Sequence, residues 1–191
     1  MRELLDAAGL ADPVRLTAYD TFRRLAEAEA RVHGTTPEAI HFHEVGALDA
    51  IADIVGVSAG FAHLGLARIH ATPVAVGSGT VQAAHGWLPV PPPAVVELLV
   101  AAGAPSYAGD TSDTDGTGAG SVVELCTPTG AALLATHVDA WSAQPPMRVT
   151  RQGIGAGSRE TPGRANTLRL LVGDGFAAAV SAGSAASGVT Q

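Results

Sequence analysis

Thirteen consecutive positions, His41-Phe-His-Glu-Val-Gly-Ala-Leu-Asp-Ala-Ile-Ala-Asp53, place His41, His43, Glu44, Asp49 and Asp53 together in an alanine-rich chain. Imidazole nitrogens and carboxylate oxygens suit borderline divalent ions such as nickel, zinc, iron or cobalt. A strand over 39–45 would point His41 and His43 to one face, because strand side chains alternate. A helix from Leu48 would set Asp49 and Asp53 one turn apart on one stripe, where they repel unless a cation lies between them. Asp53 also interrupts the apolar run Ile51, Ile54, Val55, Val57, and an ionised group among such neighbours takes a partner. The plainer alternatives are a half-exposed histidine pair and an Asp49 that serves only the helix N-terminus.

The chain that must position these groups has 191 residues, 47% of them hydrophobic but only 4% aromatic, so its core is aliphatic. The net charge of −7 argues against nucleic acid as a partner, since phosphate binding needs a basic surface. Lysine is absent, which excludes Schiff-base chemistry. Cys126 is the sole cysteine, which excludes an intrachain disulfide and a cysteine-built zinc site. It reads as a small buried side chain. Acidic Glu3 and Asp6 break any secretory leader, and no apolar run spans a bilayer, so a cytoplasmic protein without membrane contact is expected.

Apolar residues at three- and four-residue steps predict a helix over 14–33, opened by Asp12-Pro13 and closed by Gly34. Glu29 and His33 sit four apart at its end, either a surface pair or further ligands beside the histidine-rich segment. The remaining pattern predicts a strand over 39–45 and a helix over 48–64. A β-like 68–76 follows, pushed to an edge or bulge by Pro73. Residues 77–93 read as a loop with one short strand, 94–102 as a helix and 121–126 as a strand. Thr127-Pro128 caps a helix running to 138, and strands occupy 147–154 and 166–172. The aspartate-bearing segment 109–120 reads as flexible and lacks EF-hand spacing. This order implies an α+β fold, a mixed sheet with helices mainly on one side. The expected organisation is one domain over 1–172 and a disordered Ala/Gly/Ser tail over 173–191.

Two other stretches carry possible chemistry. Gly153-Ile-Gly-Ala-Gly157, with Arg151, Arg159 and Arg164 around it, reads either as a phosphate-cradling turn built on Gly153, Gly155 and Gly157 or as a simple hairpin turn. His85, in Ala-His-Gly, is a candidate ligand or proton-transfer group. His63 and His70 read as incidental.

Several motifs in order resemble one family: His41-Phe-His-Glu-Val-Gly-Ala-Leu-Asp-Ala-Ile-Ala-Asp-Ile-Val-Gly56, Ala28-Glu-Ala-Arg-Val-His-Gly34, Gly77-Ser-Gly79, Ala84-His-Gly-Trp-Leu-Pro-Val-Pro91, Glu124-Leu-Cys-Thr-Pro-Thr-Gly130 and Gly153–Gly157. Together they resemble the LarC family of nickel insertion proteins, over roughly residues 14–172. The resemblance implies a nickel-inserting lyase. Such a protein acts on pyridinium bisthiocarboxylic acid mononucleotide with CTP, giving the nickel-pincer nucleotide that serves lactate racemase. It implies His41, His43, Glu44, Asp49 and Asp53 as metal ligands, and Glu44, His43 or His85 as the base that removes the ring proton. Family members are longer, with an upstream strand and a C-terminal domain credited with CTP binding. The chain is therefore expected to be the nickel-holding portion, working with a nucleotide-binding domain on another chain or as a homo-oligomer. The alternatives are a non-catalytic nickel-binding or storage module and, more remotely, a divalent-metal-dependent hydrolase.

Overall fold

A computed structural model describes residues 1–40, 48–83, 86–109, 123–158 and 165–176. These fall into two compact units, Met1–Ala143 and the chain from Gln144 onward. The first unit begins with α1 (Arg2–Ala7), which the sequence pattern did not signal, and α2 (Asp12–His33). Asp12 does not cap α2 with its side chain. It accepts instead from Arg15 at 3.0 Å. Gly34 ends the helix in the left-handed region at φ 63°, which glycine adopts without the Cβ clash other residues meet.

A 3-10 turn, Pro37–Ala39, follows. The expected strand therefore does not begin at residue 39: Pro37 fixes φ for a turn, and the Ala39 N–H donates to the Thr36 carbonyl at 3.0 Å. The rest of that expected strand falls outside the described residues. Helix α3 (Leu48–Leu64) buries Ala50, Ile54 and Ser58, spaced at four residues.

The β-like stretch 68–76 is broken at Thr72-Pro73 into β1 (His70–Ala71) and β2 (Val74–Ala75), each with its own partner. Strand β1 runs parallel to β8 (Ala140–Trp141), and β2 runs parallel to β6 (Ser106–Tyr107). Residues 77–93, expected to be mainly loop, form three strands: β3 (Gly77–Ser78), β4 (Thr80–Ala83) and β5 (Gly86–Pro89). Strands β4 and β5 make an antiparallel hairpin with Val81 opposite Leu88. Positive-φ glycines at 77, 79 and 86 interrupt the apolar alternation, which is why periodicity missed these strands. Strand β3 pairs antiparallel with β7 (Val123–Glu124). Because Val76 and Gly77 donate to Tyr107 and Ala108 while Leu125 donates to Val76, the 74–78 stretch lies between two neighbours. The result is the expected mixed arrangement, assembled from very short strands.

Helices α4 (Pro93–Ala102) and α5 (Pro128–His137) complete the unit. The Thr127 hydroxyl accepts from the Gly130 N–H at 3.2 Å, as the Thr-Pro opening predicts. Val74 and Val76 meet Leu25 and Ala28 of α2, Leu98 of α4 and Ala131 of α5 in one buried cluster. A second cluster joins Leu5, Ala18, Phe22 and Ile54, so α2 serves both. The fold is α+β, with helices over the face that Val74 and Val76 present.

The second unit is a hairpin of β9 (Met147–Ala156) and β10 (Thr167–Gly175), antiparallel with a register shift at Val172/Gly173. Strand β10 thus continues three residues beyond the sequence boundary at 172. Glycines 173 and 175 disguise the strand, but Gly173 opposes Val149 and Asp174 pairs with Arg148 at 2.7 Å. The tail expected over 173–191 lies outside the described residues from 177.

Candidate metal centre

The two described elements that flank residues 41–47 both pack on α2. Before them, the 3-10 turn packs on α2; after them, α3 packs on α2 through Ile54 against Ala18 and Phe22. Residues 41–47, and with them His41, His43 and Glu44, lie outside the described residues, as does His85. The strand residues on either side of positions 84 and 85, Ala83 and Gly86, pair across the β4–β5 hairpin.

Of the proposed ligands, Asp49 and Asp53 are described. Both sit on the exposed side of α3, one turn apart as the spacing implies. Asp49 lies in the first turn, where its Oδ1 accepts from the Ala50 N–H at 2.8 Å. Asp53 was expected to lie deeper than Asp49, enclosed by the apolar run. It does not. Helical rotation sends Ala50, Ile54 and Ser58 inward and turns both aspartates toward solvent. At the end of α2, Glu29 Oε2 and His33 Nε2 are 3.7 Å apart, with the Glu29 side chain only 19% exposed. Among the described residues, no three histidine, cysteine, aspartate or glutamate side chains converge on a point that could hold a metal. A complete ligand set therefore needs donors beyond Asp49, Asp53, Glu29 and His33.

The glycine segment is not a turn. Gly153 and Gly155 lie within β9, opposite Leu170 and Leu168. The Gly157 N–H donates to the Asn166 carbonyl at 3.1 Å. In an antiparallel ladder alternate residues bond to the same partner strand, so Gly155 and Gly153 aim their N–H groups at β10 as well. Successive N–H groups converging on an anion would require a different backbone. The segment does not fit a CTP phosphate cradle.

Cys126, which is buried, and His137, which is half-buried, define what the first unit does not offer chemically. Burial, reinforced by Glu124, pushes the Cys126 thiol up to about 11, so it stays protonated and unreactive, the packing role the sequence suggested. His137, which sequence reasoning passed over, sits edge-on to Phe61 with ring centroids 4.9 Å apart. Its Nε2 is buried without a hydrogen-bond partner among the described residues, and burial lowers its pKa. Only the packing of α3 against α5 reveals it. No helix among the described residues is long and apolar enough to cross a membrane.

Comparison with known proteins places this geometry in context. A pyridinium-3,5-bisthiocarboxylic acid mononucleotide nickel insertion protein of Nocardioides sp. is 58% identical over 173 residues, covering 91% of this chain and 41% of the relative. A protein of the same description from Desulfitobacterium hafniense is 45% identical over 174 residues, covering 91% and 40%. A putative nickel insertion protein of Geotalea daltonii is 43% identical over 171 residues, covering 90% and 41%. The chain thus spans about two-fifths of the length of these relatives. No solved structure matches it. The nickel insertion protein family matches residues 1–189, a stretch that takes in every proposed ligand, and the chain belongs to that family.

Proposed function

We propose that this chain holds nickel for insertion into a pyridinium bisthiocarboxylic acid mononucleotide, the substrate named for its Nocardioides relative. The observation that carries the reading is the family match across residues 1–189, which includes the whole His41–Asp53 stretch. Nickel is cargo here and must be bound without being kept. Histidine and carboxylate donors suit that task better than thiolates, and the one thiol in the chain is buried and protonated. His41, His43 and Glu44 are the principal ligands, assisted by Asp49 and Asp53 on the open side of α3. Asp49 and Asp53 concentrate negative charge at that end of the helix and attract the cation.

Formation of a nickel–carbon bond releases a proton from the pyridinium ring. Glu44 or His85 accepts it. This is lyase-type, CTP-dependent chemistry carried out in the cytoplasm, with CTP bound outside the Gly153–Gly157 strand. A nucleotide-binding domain, elsewhere in the protein or on a partner chain, supplies the CTP site. That Gly153 and Gly155 face β10 rather than an anion favours, as the second reading, a module that binds nickel without converting substrate.

Calorimetric nickel titration tests the proposal. The double change His41→Ala and His43→Ala should weaken binding at least about tenfold, one ligand contribution of roughly 1.4 kcal/mol or more. Asp49→Ala and Asp53→Ala should weaken it by similar, smaller factors, because both aspartates are exposed on one stripe. An unchanged titration in the histidine variant refutes the assignment.

A further inference from the structure

Helix α2 carries four carboxylates, and three of them face arginine. Asp12 pairs with Arg15, Asp20 with Arg23 and Arg24, and Glu27 with Arg23. The remaining arginine of the helix, Arg31, is drawn to Glu97 of α4 at 2.8 Å. Glu29 differs, because the side chain facing it one turn on is His33. A guanidinium has no lone pair to give, whereas a neutral imidazole has one. Of the acid–base pairs along α2 among the described residues, this is the one in which both partners are metal donors.

The geometry suits a cation. Helical side chains lean toward the N-terminus, so His33 leans back over the turn that carries Glu29. Glu29 Oε2 and His33 Nε2 stand 3.7 Å apart, too far for a hydrogen bond. Two neighbouring donors about 2.1 Å from one ion lie about 3.0 Å apart, so the pair has to close by less than about 1 Å. The Glu29 side chain is mostly buried and held in place, whereas that of His33 is 42% exposed and has room to turn. Helix α2 stops directly after His33, where the Thr35 N–H donates to the Ala30 carbonyl at 2.9 Å. The pair therefore occupies the negative end of the helix macrodipole, which stabilises a cation.

We infer that Glu29 and His33 form a second nickel site, a two-point chelate at the end of α2 that takes the ion with water in its remaining coordination positions. The identity of the ion rests on the nickel reading above. Fewer protein donors bind a metal more weakly. That suits a docking point for an ion that still carries most of its water, ahead of transfer to a fuller ligand set. The 3-10 turn Pro37–Ala39, which leads into the His41–Asp53 stretch, packs on the same helix, so chelate and ligand segment share one support.

Nickel(II) chloride titrated into the intact chain tests the site. The background is the variant with both His41→Ala and His43→Ala, which removes the principal histidine ligands. Calorimetry should still show weak nickel binding there, and adding either His33→Gln or Glu29→Gln should weaken it at least about tenfold. In the otherwise unchanged chain, paramagnetic nickel below one equivalent should broaden the imidazole proton signals of His33, and Glu29→Gln should abolish the broadening. Without metal, neither change should move the thermal midpoint by more than about 2 °C, so lost binding is not lost fold. Three results overturn the inference: no residual binding in the background variant, residual binding indifferent to both changes, or sharp His33 signals in the presence of nickel. The assignment of His41 and His43 fails on a different variant, the one carrying those two changes alone, so the two failures are told apart.

Discussion

Asp53 shows how much a single residue's role depends on helical phase. Its sequence neighbours are aliphatic, yet a rotation of about 100° per residue separates it from buried Ile54. His137 shows the reverse. Nothing in Leu-Ala-Thr-His-Val marks it, yet α5 carries it inward against Phe61, where burial lowers its pKa. Its folded pKa lies below the ordinary 6.5, so below that value the unfolded chain binds more protons than the folded one. Stability from this group is complete above about pH 6.5 and is lost as pH falls toward the folded pKa. Urea unfolding at about pH 7.5 and about pH 5.5 should show a smaller loss of stability on acidification in His137→Leu than in the parent chain. An equal loss would mean that His137 is solvated. The thiol of Cys126, by contrast, was legible as a packing group because it stands in a run of strand-forming residues.

At the scale of elements, α2, α3 and the long strands β9 and β10 were legible, and most of the short strands were not. Helices of 22 and 17 residues carry several repeats of their pattern, and glycines in the left-handed conformation mark both ends, Gly34 and Gly65. Strands of two to four residues carry no measurable period, and the partners of β1, β2 and β3 lie tens of residues away in sequence. Helix α3 matters most for the site because it fixes the two aspartates through the packing of its other face. Ile54 is fully buried with Leu5, Ala18 and Phe22. Ile54→Ala should cost roughly 2–5 kcal/mol in urea unfolding, from lost transfer energy and the cavity left behind. It should also weaken nickel binding, though Ile54 offers no donor atom, because Asp49 and Asp53 lose their support. A stable variant with unaltered titration would separate α3 from the site.

At the scale of the whole molecule, every buried residue of both clusters lies within Met1–Ala143. The unit that bears the ligand segment therefore contains its own core. A chain ending at Ala143 should unfold cooperatively in urea, with a midpoint close to that of the full chain and a smaller slope, since slope follows the surface exposed. Loss of the cooperative transition would show that residues beyond 143 complete the core.

The sequence by itself determined the long helices with their closing glycines, the α+β class and the family, because these follow from residue type, local period and motif order. Only the tertiary structure decided that Asp53 faces solvent, that Gly153 and Gly155 lie in a strand with their N–H groups toward β10, and that the His137 Nε2 is buried. Each of these depends on which face of an element another element covers, a choice made by contacts distant in sequence and invisible to any local pattern.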